Sequence, residues 1–247
     1  MNYYNSIAMF YDKLTEDVDY KKRADYFLSL FELYDKKPTL MLDAACGSGL
    51  MSVEFAEKGI EVIGVDHSPN MLAKAQENAS SRNCDILFLH QDITKLDLYG
   101  TVDGAICTLD SINHLKGKRA VEKFFKSVSL FLEDNRLFIF DINTEYKHRE
   151  ILGNNYFEFE ENGVNCRWQN KYYNRNNKVK IKLLFTEHDE SYIEKITEYA
   201  YSIDLVKKML KKNGLETIAI FDDMTQNPPM EKSQRIIFVT RKGKNNG

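Results

Sequence analysis

Three acids stand at intervals that suit a nucleoside ligand. Asp43 lies in the run Leu40-Met41-Leu42-Asp43-Ala44, just before Cys46-Gly47-Ser48-Gly49. Asp66 closes the apolar run Ile60 to Val65, seventeen residues after Gly49. Asp92 follows Ile86 to Leu89 and the pair His90-Gln91. Gly47 and Gly49 let a backbone turn tightly and approach a ligand closely. A carboxylate in the place of Asp66 can accept both hydroxyls of a ribose. One in the place of Asp92 can accept from an amine such as that of adenine. Together they outline a pocket for an adenosine-containing ligand.

Other ligands with adenosine fit less well. A nicotinamide dinucleotide wants G-x-G-x-x-G. The match starting at Gly47 breaks at Ser52, and the one starting at Ala45 lacks its first glycine. Asp43 at the strand end repels a pyrophosphate and suits a cationic ligand. The nucleotide-kinase loop G-x-x-x-x-G-K-[ST] is absent. His67, His90, His148 and His188 show no metal spacing, so no catalytic metal is expected. Cys46, Cys84, Cys107 and Cys166 form no C-x-x-C pair and read as buried free thiols.

The elements that must position these residues follow from hydrophobic period. Ala24, Phe27, Leu28, Phe31 and Tyr34 recur at helical spacing, and Pro38 ends that segment. Short apolar strands are expected at Thr39 to Ala44, Ile60 to Val65, Ile86 to Leu89, Val102 to Thr108 and Leu137 to Phe140. Helices alternate with them, from about Leu50 to Lys58, Asn70 to Ser80 and Lys118 to Leu132. That alternation is the doubly wound α/β signature, whose ligands sit beyond the carboxyl ends of the strands. From about Asn155 to Tyr201 a period of two takes over, predicting three or four antiparallel strands rich in aromatics. Ser202 to Lys212 is again a helix. Glu216 to Phe221 and Gln234 to Thr240 are the last strands, antiparallel because their link is short and holds Pro228-Pro229.

The ordered set LMLDAACGSG, VIGVDHSPNML, FLHQDI and ICTLDSINHL, over about Leu40 to Leu115, resembles the class I S-adenosylmethionine-dependent methyltransferases. The resemblance implies a Rossmann-like doubly wound seven-stranded sheet of order 3-2-1-4-5-7-6, with an antiparallel last strand and a small antiparallel β insertion. It implies that residues 39–146 and 202–241 bind S-adenosylmethionine, the methyl donor. Residues 1–38 become an N-terminal helical cover, and residues 147–201 a substrate cover similar to that of glycine-type N-methyltransferases. In the family the glycine loop, here Ala45 and Gly47, wraps the amino-acid part of the cofactor. Ala45 stands where glycine is common. Asp66 would hold the ribose, Met71 would pack the adenine, and Asp92 with Ile93 would face its amine. Asp43, His67 and Gln91 are counted with the same site. Leu109 and Asp110 would line the route to the methyl group. The leading segment Phe10-Tyr11-Asp12-Lys13-Leu14 and Tyr20 resemble a part that folds over the cofactor, so Tyr11 and Tyr20 join the cofactor set.

The sulfonium brings its own leaving group, so a base is needed only if the acceptor must lose a proton. Asp110, Asn113, His114 and Tyr11 are the candidates. Trp168 is expected in the core of the inserted sheet. Asn227-Pro228-Pro229-Met230 resembles the N-P-P motif of base and glutamine methyltransferases, but that motif belongs directly after strand four. Here it reads as a loop. Lys+Arg 34 against Asp+Glu 37 gives a charge of -3, which argues against gripping nucleic acid by bulk charge and leaves room for a local basic patch. An apolar share of 43% supports a packed core. No stretch approaches 18 apolar residues, and no basic leader precedes an apolar run, so a cytoplasmic protein without a membrane span is expected. The acceptor is expected to be a nitrogen or oxygen of a small soluble molecule, and the protein a monomer. The alternatives are an RNA or protein methyltransferase of the same fold, a non-catalytic adenosine-ligand module, or a nicotinamide-dependent reductase.

Overall fold

Local signals set where helices begin. Asp19 caps α1 (Tyr20–Tyr34), its Oδ1 accepting from the Lys22 amide at 2.9 Å. Ser68 caps α3 (Pro69–Ser81), with Pro69 in the first turn where its missing N–H is harmless. Ser202 caps α5 (Ile203–Lys212). α2 (Leu50–Glu57) has no side-chain cap and starts from Gly49 in a left-handed conformation. α4 (Gly117–Phe131) buries Val121, Phe124, Phe125 and Val128, the stripe that helical spacing predicts. The computed structural model describes residues 18–161, 163–188 and 190–244. Tyr11 and the segment from Phe10 to Leu14 lie outside the described residues.

The strands are β1 (Leu40–Ala44), β2 (Glu61–Asp66), β3 (Leu87–His90), β4 (Gly104–Cys107), β5 (Leu137–Asn143), β6 (Tyr156–Glu161), β7 (Val164–Tyr173), β8 (Lys178–Glu187), β9 (Glu190–Tyr199), β10 (Leu215–Asp222) and β11 (Arg235–Lys242). Seven of them form one sheet of order β10-β11-β5-β4-β1-β2-β3. This is the expected order once the inserted strands are set aside. β11 runs antiparallel to both β5 and β10, while β1 to β5 pair in parallel. All seven residues of β5 are buried, as a central strand covered on both faces requires. Phe138 and Phe140 enter one core with Phe124, Phe125 and Phe238. Leu137 and Ile139 enter the other with Phe27, Phe31, Met41 and Phe55.

β6 to β9 form a separate antiparallel sheet in sequence order. One face buries Val164, Cys166, Val179, Ile181, Leu183 and Phe185, with Trp168 and Tyr192 packed against them. Trp168 sits on that face, its Nε1 donating to Asn170 Oδ1. The inserted region opens with a wide helical turn, Lys147–Leu152, which the sequence pattern does not announce. Asn227-Pro228-Pro229 lies in the link between β10 and β11. Among the described residues no helix is long and apolar enough to cross a membrane.

Candidate active site

The carboxyl ends of β1, β2 and β3 bring the adenosine-type residues together. After β1 the chain turns through three left-handed residues, Ala45 (φ 60°), Gly47 (φ 55°) and Gly49 (φ 74°). A Cβ on Gly49 would meet Ala75 Cβ at 2.8 Å, so glycine alone lets α2 start against α3. The turn is tied to β2 because the Asp66 carboxylate accepts from the Gly47 amide at 3.0 Å and the Ser68 amide at 2.9 Å. Burial pushes the Asp66 carboxyl up, but hydrogen bonds from His67, Ser68 and Gly47 outweigh it and hold the group ionised, below its usual range. His67 stands in the open with its Nδ1 3.5 Å from Asp66, and that contact raises its basicity. The Gln91 amide donates to the Asp66 carbonyl at 3.0 Å, joining the loops after β2 and β3. Asp92 is exposed and caps the turn Ile93–Lys95. Met71 is half-buried in the first turn of α3, and Ile93 is buried in the chain's main core. A narrow cleft of about 20 Å³ opens between Tyr20, Ala45 and Ser48 on one side and Thr108 and Leu109 on the other.

Two of the expected cofactor residues have partners within the protein. Asp43 does not face the cleft freely: it is buried, and Ser52 Oγ donates to it at 2.6 Å. Burial pushes its carboxyl up to about 7. The Ser52 bond ties the end of β1 to α2. The Gln91 side chain is consumed by the backbone of Asp97, donating to the carbonyl at 2.8 Å and accepting from the amide at 2.9 Å.

A second cluster forms where β4 and β5 end. Leu109 and Asp110 both adopt left-handed backbone (φ 55° and 57°), and both their amides donate to Asp141 of β5, at 2.9 and 2.7 Å. Arg235, at the start of β11, bridges Asp141 and Asp110, reaching Asp110 Oδ1 at 2.6 Å. Burial works against the Arg235 charge, but Asp141 and Asp110 more than restore it. Arg23 of α1 bonds Asp223 at 3.1 and 3.0 Å and lies 3.6 Å from Asp141. Asp110 is thus a fixed carboxylate with Oδ1 engaged by Arg235.

The inserted sheet reaches this cluster through β9. Asn113 is fully buried, donating to the carbonyls of Asn143 (3.1 Å) and Tyr199 (2.9 Å) and accepting from the Asn143 amide (2.9 Å). All its polar atoms are engaged, so it cannot serve as a base. Next to Tyr199, Glu198 is buried and accepts from His148 Nε2 at 2.9 Å and Asn143 Nδ2 at 3.3 Å. Burial raises the Glu198 carboxyl, but the His148 bond and the nearby His114 and His148 charges outweigh it and hold it well below its usual range. One atom each of Asp110, His114 and Glu198 lies within 4.8 Å of the others. His114 is the exposed member, with Nε2 3.9 Å from Asp110 Oδ2. Two carboxylates and an imidazole in that arrangement can hold an organic cation and accept its proton.

Sequence reasoning missed Arg23, Asp141, Arg235 and Glu198. Two of these carried a signal. Asp141 ends a fully apolar strand, and Glu198 shares the alternating face of Tyr192, Glu194 and Ile196, opposite the apolar Val179, Ile181, Leu183 and Phe185 of β8. Arg235 carried none, because its partners lie 94 and 125 residues away.

The comparisons with known proteins agree with the geometry. A family model described as "Methyltransferase domain" matches residues 41–135. The crystal structure of an S-adenosylmethionine-dependent methyltransferase from Clostridium acetobutylicum ATCC 824 superposes with a TM-score of 0.85 at 30% identity, covering 98% of this chain and 100% of that one. A Geobacillus sp. (strain WCH70) protein whose name places it among methyltransferases is 29% identical over 97% of this chain and 99% of its own. The glycine/sarcosine N-methyltransferase of Parasynechococcus marenigrum (strain WH8102) is 32% identical over 55% of this chain and 49% of its own. The donor set suits the cofactor in the Clostridium enzyme's name: an ionised acid at the end of β2, a left-handed turn after β1 and an exposed acid after β3. The chain belongs to the class I S-adenosylmethionine-dependent methyltransferases, and S-adenosylmethionine is its methyl donor.

Proposed function

We propose that the protein methylates the nitrogen of a small amine, and that the acceptor sits among Asp110, His114 and Glu198. What carries this reading is the convergence of those three side chains within 4.8 Å of one another, at the end of β4 next to Leu109. An ammonium group is held by the two carboxylates, Asp110 and Glu198. It cannot attack until it loses a proton, and His114 is the member of the cluster without a committed strong partner. Glu198 Oε2 already accepts from His148 and Asn143, and Asp110 Oδ1 from Arg235, which favours an organic cation over a metal ion. The similarity to a glycine/sarcosine N-methyltransferase supports the same class of acceptor.

On the donor side, Asp66 holds the ribose and Asp92 the adenine amine, with Met71 and Ile93 against the ring. Ala45 and Gly47 border the amino-acid tail, together with Tyr20. When bound, the cofactor supplies an electrophilic methyl group with its leaving group attached. Residues 39–146 and 202–241 form the donor-binding body, and residues 147–201 the acceptor cover.

Calorimetric titration with S-adenosylmethionine, S-adenosylhomocysteine and NAD comes first, followed by a screen of amines and alcohols with labelled methyl donor. Asp66→Ala should abolish cofactor binding. His114→Ala should leave cofactor affinity intact and lower turnover by about 10²- to 10⁴-fold, the usual size of a general-base effect. Methylation of alcohols but no amine, or full turnover by His114→Ala, overturns the proposal.

A further inference from the structure

The face of the inserted sheet turned away from the acceptor cluster carries a lysine array that methyl transfer does not use. Antiparallel register places Gln169, Lys182 and Lys195 in one cross-strand row, and Lys171, Lys180 and Thr197 in the next. Between these rows Asn170, Ile181 and Ile196 turn their side chains to the opposite face, so their backbone floors a groove. The groove measures about 670 Å³. Lys178, in the adjoining row, joins Lys171 and Lys180 around the Tyr173 ring, with their ammonium groups 5.4 to 5.6 Å from its centroid.

Two features single out this face. Lys171 stands directly opposite Lys180, and Lys182 directly opposite Lys195. Like charges in directly opposed positions destabilise a sheet. None of the five lysines pairs with a carboxylate among the described residues. The described acids of the same face, Glu158 and Glu160, lie on β6 opposite Arg167 and Asn165, and Glu158 is already bonded by Arg167. A local rule broken twice, with a shared aromatic ring but no carboxylate partner among the described residues, marks a surface that meets its counter-charge from outside. The chain as a whole is slightly acidic, so this positive charge is local.

We propose that this groove is a binding site for single-stranded nucleic acid, separate from the acceptor site. Ammonium groups on both walls track a phosphodiester backbone, and their withdrawal toward phosphate frees the Tyr173 ring for a base to stack on. A second copy of this chain on the same face would set lysine against lysine. A flat lipid surface could not reach the charges on both walls of the groove at once.

The test is fluorescence anisotropy with labelled single-stranded RNA and DNA of about twelve nucleotides, within the usual span of such sites, without methyl donor. A polyglutamate peptide of similar length and phosphatidylserine vesicles are the competitors. With about four phosphates contacted and a slope of about 0.7 per phosphate, affinity should fall about 50-fold between 50 and 200 mM salt. The variant Lys180→Glu/Lys182→Glu sets a carboxylate opposite Lys171 and another opposite Lys195. It should keep or raise the melting temperature and weaken binding at least about 10-fold. Lys171→Gln/Lys195→Gln should weaken it in the same direction while amine methylation is unchanged. Absence of micromolar binding, equal competition by the peptide or the vesicles, or indifference to both double variants overturns the proposal. The readout is binding alone, so failure here and failure of the amine reading are told apart.

Discussion

Replacing Arg235 by methionine tests the ion network behind the β4 end. Methionine keeps most of the length of the side chain and removes both donors. The guanidinium reaches Asp141, whose side chain is fully buried, and Asp110 at 2.6 Å, whose side chain is 18% exposed. Removing one partner of a buried ion pair costs about 3–5 kcal/mol, because the remaining charge stays out of water. Asp141 keeps the amides of Leu109 and Asp110, with Arg23 at 3.6 Å, so the lower half of that range applies, about 3–4 kcal/mol. Domains carry about 5–15 kcal/mol in total, so the variant should fold at 25 °C with a much lower urea midpoint and an unchanged m value. Leu109 and Asp110 lose the clamp on their left-handed backbone, so the acceptor KM should rise more than kcat falls. Adding Asp110→Asn removes one uncompensated charge and should return at least about 1 kcal/mol relative to additivity. A loss under about 1 kcal/mol, or strict additivity in the double variant, would show that the guanidinium does not hold this loop.

Asp43→Asn should change how stability depends on pH. Burial raises the folded-state carboxyl from 3.8 to about 7, so the stability linked to its neutral form is complete below about pH 4 and is lost as pH rises to about 7. Relative to wild type, the asparagine variant should therefore gain on the order of 4 kcal/mol across that window and no more above it. Urea midpoints at pH 4.5, 6 and 8 check this, and a difference that stays constant with pH refutes it. Ala45→Gly relieves a left-handed alanine that costs about 1–2 kcal/mol, offset by glycine's larger unfolded-state entropy of about 0.5–1 kcal/mol. The melting temperature should rise by about 2–4 °C, and a fall would show that Ala45 is not strained.

The parts of this molecule legible in its sequence are those governed by neighbours along the chain. Ser68-Pro69 and Ser202 announce helix starts, because a cap acts within three residues. The period switch near Asn155 announces the inserted sheet, because alternation is a property of one strand at a time. Asp66 is legible as the acid that meets the glycine turn, because it closes a strand beside that turn, and its carboxylate accepts from the Gly47 amide. The ion network is not. Arg235 meets Asp110 and Asp141 only after β11 inserts antiparallel beside β5, an event no local pattern encodes. The same limit applies to Gln91 and Asp43. Both stand at strand ends as expected, but the atoms that satisfy them, the Asp97 backbone and Ser52, belong to the folded loop.

Asn113 has a consequence beyond hydrogen-bond satisfaction. One amide side chain rivets the turn after β4 to the end of β5 and to the last residue of β9. The inserted sheet is therefore bolted at its exit, and the β7–β8 turn is tied down beside it, with Asn177 Nδ2 donating to Glu145 Oε2 at 3.2 Å and the Asn177 carbonyl accepting from the Ala200 amide at 2.7 Å. If residues 147–201 cover the acceptor as proposed, substitutions elsewhere in this sheet can change what enters without shifting Glu198 against His114. On that reading, acceptor choice is free to change through the rest of the sheet while the bolted end keeps its alignment.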